Sequence, residues 1–146
     1  MATRSLVGIE NRDGTITLIY VHHDGYFTGV GRALLTHYTT EAHVRALMRS
    51  GDHTTLDRPE PWEGAYGDGS GPYEGTRWPN SMQQYCYLFR GGEWLAREWS
   101  AGDEFAAAIE WRPLRECVEE EAERLRELAS QRFPRGPLTL TRVEEA

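Results

Sequence analysis

The sequence predicts an α+β fold: an antiparallel sheet built from two β-hairpins, residues 5–21 and 84–99, covered by two short helices within 29–50 and by a C-terminal amphipathic helix over 113–131. Three observations predict it. Asp13-Gly14 separates two β-rich runs, Gly91-Gly92 separates two more, and Leu114, Val118, Leu125 and Leu128 recur at helical spacing.

The first hairpin joins SLVGIE (5–10) to TITLIYV (15–21), because aspartate and glycine tolerate the positive φ of a tight turn. Ile16, Leu18 and Tyr20 alternate with Ile19 and Val21, so the second strand is apolar on both faces and belongs inside the sheet. The register stays open at this stage. A two-residue turn sets Ser5 opposite His22 and Arg4 opposite His23, whereas a three-residue bulged loop sets Arg4 opposite His22.

Val30, Leu34 and Tyr38 then recur as a helical stripe, with Thr28 expected as its cap. A second helix runs from a Thr40 cap through Val44, Leu47 and Met48 to Gly51. In the second hairpin Tyr85, Tyr87 and Phe89 alternate with Cys86 and Leu88, the pattern of sheet core. EFAAAIEW (104–111) fits either a strand or a short helix, and Pro113 suits the first turn of the last helix. Residues 57–81, with five glycines, four prolines and four aromatics, read as a long loop whose Trp62 and Trp78 could fold over a flat ligand. One domain over 1–146 is expected, ending in a flexible tail from about 134.

Charge narrows the partners. The chain of 146 residues has a net charge of −7 and no lysine, so long nucleic acid and anionic membranes are poor partners, while a small anion held by a few arginines is not excluded. No apolar run approaches the length of a membrane span, and the first residues lead straight into a strand pattern rather than a secretory signal; a cytoplasmic location is expected. Cys86 and Cys117 lack metal or redox spacing and read as free buried thiols. The acidic run RECVEEEAERLRE reads as a solvated helix face without chemistry.

The stretch VHHDGYFTGVGRALLTHY (21–38) concentrates the unusual chemistry. The hairpin brings Thr3, Arg4 and Ser5 to the end of the sheet that holds His22, His23 and Asp24. The amides of Gly29, Val30, Gly31 and Arg32 are expected to open a helix and favour an anion such as phosphate, with Arg4 or Arg32 adding charge. Tyr26 and Tyr38 bracket that position and can stack on a base. A metal is not expected, because His22 with Asp24 supplies two ligands and His37, His43 and His53 have no linking motif. No cofactor is implied. If the site turned its ligand over, His22 would be the acid or base and Asp24 its orienting group. A third alternative is a protein-protein inhibitor acting through the 57–81 loop and the acidic helix.

Thr3, Arg4, Ser5, His22, Asp24, Gly25, Tyr26, Gly29, Val30 and Gly31 stand in a pattern that resembles a widespread group of small tailed-bacteriophage proteins, over about the first forty residues. His23 stands where those proteins commonly have tryptophan, and Phe27 where they commonly have proline. The resemblance implies an accessory role in an infected bacterium and brings no catalytic residues with it. By analogy with phage proteins that sequester nucleotide immune signals, the expected function is binding of a phosphorylated nucleotide-like molecule by a homo-oligomer in the host cytoplasm.

Overall fold

Alternating apolar residues in SLVGIE and ITLIYV bury both rows only on a pleated surface. In the computed structural model, which describes residues 3–53, 55–56, 71–75, 85–98 and 111–132, they form β1 (Ser5–Glu10) and β2 (Ile16–Val21). The turn between them is the three-residue bulged loop. Asn11 N donates to Thr15 O at 2.8 Å, Gly14 N donates to Asn11 O at 3.0 Å, and Gly14 takes φ +88°. Asp13 Oδ1 accepts from both the amide and the hydroxyl of Thr15, locking the loop. Ser5 therefore pairs with Val21, and extending the register sets Arg4 opposite His22.

The second hairpin, β4 (Tyr85–Arg90) and β5 (Glu93–Glu98), turns at Gly91 and Gly92, both at positive φ. Each hairpin is antiparallel, as its short turn requires, yet the two meet through a parallel pair, β1 with β4, from Ser5 opposite Tyr85 to Ile9 opposite Phe89. The reason is the long connection between β2 and β4. It crosses over to the far side of β1, which a tight turn cannot do. Two further strands complete a mixed six-stranded sheet, β3 (Tyr73–Gly75) beside β2 and β6 (Arg112–Pro113) beside β5, in the order β3-β2-β1-β4-β5-β6. Residues 73–75 thus depart from the expected unbroken loop at 57–81, because the free edge of β2 pairs with them. Trp62 and Trp78, residues 104–110 and the tail lie outside the described residues.

The crossover carries a π-helical turn (Phe27–Gly31), α1 (Arg32–His37) and α2 (Glu41–Ser50). Thr40 Oγ1 accepts from the His43 amide, and Gly51 ends α2 at φ +82°, both as the sequence predicts. α3 spans Leu114–Arg132; Pro113 precedes it in β6 rather than occupying its first turn. One face of the sheet, with Val7, Ile9, Ile19, Val21, Tyr87 and Phe89, packs under Val30, Leu34, Leu47, Leu114 and Cys117 of the helices. The other face carries Leu6, Ile16, Leu18, Cys86 and Leu88. The chain folds as α+β, and no helix among the described residues is long and apolar enough to cross a membrane.

Candidate functional site

The peculiar composition of residues 21–38 is first a solution to a steric problem. After β2 the chain must reverse against the start of β1. Asp24 does so in the left-handed region, at φ +58°, where a short polar side chain is tolerated better than most. Gly25 follows in van der Waals contact with β1: a Cβ there would lie 2.8 Å from the Thr3 carbonyl oxygen and 2.9 Å from Ser5 Cβ. Its amide donates to Thr3 O at 2.9 Å, and the buried Tyr87 hydroxyl donates to its carbonyl at 2.6 Å. Thr3 and Ser5 are therefore scaffold. Ser5 is wholly buried, and its Oγ has no hydrogen-bond partner among the described residues.

The glycines of TGVG serve the same packing. A Cβ on Gly29 would meet the Asp24 carbonyl oxygen at 2.3 Å; one on Gly31 would meet Leu114 Cδ1 at 3.0 Å and the Tyr87 ring at 3.3 Å. Their amides are not an open anion cradle. Gly29 N donates to Tyr26 O, Val30 N to Asp24 O, Gly31 N to Tyr26 O at 3.5 Å, and Arg32 N to Gly29 O. The Thr28 amide donates to Glu121 Oε1 at 2.7 Å. The expected phosphate position on these amides is corrected accordingly: backbone carbonyls and an internal carboxylate already satisfy them. Nor does Thr28 act as a cap. It lies inside the π-helical turn, whose capping position, Tyr26, makes no side-chain capping bond.

What remains open is the outer side of the same turn. A cavity of about 340 Å³ lies between the turn and α1, within the size range of small-ligand sites. Asp24, Tyr26, Thr28, Gly29 and Val30 form one wall. Arg32 and Thr36, with Ala33 and His37, form the other, each pair one helical turn apart and so on one face. Leu56 also lines the cavity. The Tyr26 hydroxyl donates to Asp24 Oδ1 at 3.3 Å. Partial burial and then the Asp24 carboxylate push the phenol above its ordinary range, so it stays a donor at neutral pH. Arg32 is exposed and has no carboxylate partner among the described residues.

No known protein family, curated protein or solved structure matches the chain.

The remaining residues expected at one site fall into two other places. Arg4, His22 and His23 are absent from the cavity walls and gather beyond the end of β1 and β2. There the Tyr20 hydroxyl and His22 Nδ1 lie 2.7 Å apart and the two histidine rings stack edge to face at 4.4 Å. Desolvation first, then His23 and Arg4, hold His22 below the ordinary histidine range. His22 is paired with Tyr20 and Asp24 with Tyr26, so the alternative acid-base dyad of His22 and Asp24 is not formed. Tyr38 is core, not stacking surface. It is 4 % exposed and its carbonyl accepts the Trp94 indole N–H at 2.8 Å.

Sequence reasoning did not assign Thr36, His37 or Leu56 to the site. The signal for the first two was available, since each stands four residues beyond a residue at the start of α1. Glu121 also carried a signal: it stands three residues after the buried Val118 and seven after the buried Leu114, on the half of the α3 stripe that packs inward, whereas Leu125 and Leu128, expected on the same buried face, are exposed. Cys86 and Cys117 are free and buried, and burial pushes the Cys86 thiol up to about 12. Among the described residues no cluster of three His, Cys, Asp or Glu side chains could hold a metal.

Proposed function

We propose that the protein binds a phosphorylated, nucleotide-like small molecule in the cavity between the π-helical turn and α1, and holds it without converting it. The observation that carries this reading is Arg32, an exposed guanidinium without a carboxylate partner among the described residues, on the wall of a ligand-sized cavity. In a chain of net charge −7 such a group is a specific attraction for an anion. Guanidinium takes phosphate through two parallel charge-assisted hydrogen bonds. His37 adds a donor on the same helix, the Thr36 hydroxyl, whose proton goes to the Arg32 carbonyl at 2.8 Å, adds an acceptor, the Tyr26 ring offers a face to a base, and the Asp24 carboxylate accepts from a ribose hydroxyl.

The pairing of His22 with Tyr20 and of Asp24 with Tyr26, rather than with each other, supports holding over turnover. The resemblance of residues 3–40 to tailed-phage accessory proteins gives the reading its biological form: sequestration of a nucleotide immune signal, such as a cyclic dinucleotide or an ADP-ribose derivative, in the cytoplasm of an infected bacterium. Isothermal titration with cyclic dinucleotides, ADP-ribose and AMP tests it. Saturable heat is expected from at least one, with affinity reduced about tenfold or more in Arg32→Ala, and the ligand should be recovered chemically intact from the denatured complex. Absence of heat with all of them removes the nucleotide reading; recovery of a cleaved ligand replaces holding with catalysis.

A further inference from the structure

The basic cluster at the end of the first hairpin stands apart from the cavity and has its own chemistry. Three cationic or potentially cationic side chains meet there. The register sets the exposed Arg4 opposite His22, and the His23 ring stacks on that of His22 at 4.4 Å. The carboxylates nearest in the chain or the network are engaged elsewhere. Asp52 accepts from the Tyr20 amide through Oδ1 and from the Tyr73 hydroxyl through Oδ2, and Asp24 accepts from Tyr26. His53, the other titratable group packed there, bonds Ser50 Oγ through Nε2 and offers its backbone carbonyl to the His22 amide. Among the described residues no carboxylate offsets the repulsion that Arg4 and His23 exert on His22. A neutral His22 imidazole avoids that repulsion, and an anion joining Arg4 would favour the charged form instead.

We propose that Arg4, His22 and His23, with the Tyr20 hydroxyl behind them, form a second anion site that takes a phosphoryl group and takes up one proton as it does so. With the imidazole neutral, the Tyr20 phenol donates to Nδ1 across the 2.7 Å contact. Nε2–H is then the only ring donor left for a ligand. When the phosphoryl group arrives, its charge favours the imidazolium. Nδ1 gains a proton from solvent and now donates to the Tyr20 oxygen. The phenolic O–H is thereby released to rotate toward the anion, so one proton gained yields one additional donor. The site requires nothing of the cavity.

The test reads the His22 Cε1–H resonance of the whole protein while inorganic pyrophosphate or AMP is added at constant ionic strength. A saturable shift is expected, with the His22 titration midpoint raised in the bound state. Binding heat should depend on the buffer's ionisation enthalpy by up to one proton near neutral pH, and by close to none once His22 is already protonated. Affinity should fall about tenfold in Arg4→Ala, whose side chain is exposed and outside the core. A response to pyrophosphate identifies a free phosphoryl anion as sufficient, a response to AMP alone a phosphate carried by a nucleotide; either upholds the site. An unmoved His22, an equal response to sodium chloride, or an undiminished response in Arg4→Ala overturns it. Because His22 is read directly, a ligand in the cavity alone registers as a failure of this site and not of the other.

Discussion

The Glu121 carboxylate of α3 accepts the Thr28 amide at 2.7 Å, joining the C-terminal helix to the π-helical turn across 93 residues of chain. It does so from a position that is 5 % exposed, with Arg124 at 3.8 Å as its ion-pair partner. A buried carboxylate is stable only when its oxygens are hydrogen-bonded. An amide at the start of a turn is likewise unsatisfied unless something reaches it. Each group meets the other's need, and the wall of the cavity is held from behind.

Removing that acceptor leaves the part-buried Thr28 amide unpaired. Glu121→Ala should lower unfolding free energy by about 2 kcal/mol, whereas Glu121→Gln, which keeps a carbonyl oxygen at the same reach, should lose about half as much or less. Urea unfolding at unchanged slope measures both. An Ala variant with the wild-type midpoint would mean that this bond contributes nothing.

Gly25 and Gly14 separate two reasons for glycine. At Gly14 the space is open and only φ +88° resists a side chain, so Gly14→Ala should cost about 1 to 2 kcal/mol. At Gly25 the φ is ordinary but a methyl group would meet the backbone of residues 3 and 4 at 2.8 to 3.0 Å. Gly25→Ala must displace β1 from the turn and should cost about 3 kcal/mol or more, the upper part of the overpacking range. Thermal denaturation of the two variants side by side checks the order, and the reverse order would contradict the close approach.

The sheet predicts an alkaline weakness. Desolvation raises Tyr85 from the usual 10 to about 12 and raises the wholly buried Tyr87 well above 10. In the unfolded chain both phenols ionise near pH 10. Above that pH the unfolded state has released protons that the native state still holds, so stability falls with rising pH. The contribution is complete below pH 10 and is lost as pH rises toward and through 12. The Cys86 thiol, raised by burial to about 12, adds to the same decline; Tyr87→Phe removes one of the three groups and should flatten the decline between pH 9 and 11, followed by unfolding midpoints. It also removes the bond to Gly25 O, so its midpoint at pH 7 should be lower.

What the sequence made legible was local. Asp13-Gly14 and Gly91-Gly92 encode hairpins because few residues accept positive φ, and Thr40 with Gly51 bounds α2 for equally short-range reasons. The parallel pairing of β1 with β4 was not legible, because it depends on where a long connection returns and leaves no mark on either strand. The site was half legible for a similar reason. Asp24, Tyr26 and Arg32 meet at one cavity because they flank one turn, whereas the amides of Gly29 and Gly31 look free only if an ordinary helix starts there; the π-helical turn hands both to the Tyr26 carbonyl, and Leu114, Tyr87 and Glu121 from distant segments pack against the turn. Tyr38 shows the limit of helical spacing: it follows Leu34 by four residues, and that places it in the core as readily as beside a ligand.

Asp24 offers a way to separate fold from binding. Its φ of +58° is a conformation that glycine adopts freely and alanine resists by about 1 to 2 kcal/mol. Its side chain is exposed, and its one hydrogen bond among the described residues, from Tyr26, is long, so the carboxylate contributes little to stability. Asp24→Gly should therefore unfold within about 1 kcal/mol of wild type, while Asp24→Ala should be the less stable of the two by about 1 kcal/mol. Binding should follow a different order. Both variants lack the carboxylate that lines the cavity with Arg32, so both should lose affinity for the proposed nucleotide ligand to a similar degree. Calorimetric titration of the pair distinguishes the cases. If affinity tracked stability instead, high in Asp24→Gly and low in Asp24→Ala, Asp24 would serve the backbone alone and the ligand would be held without it.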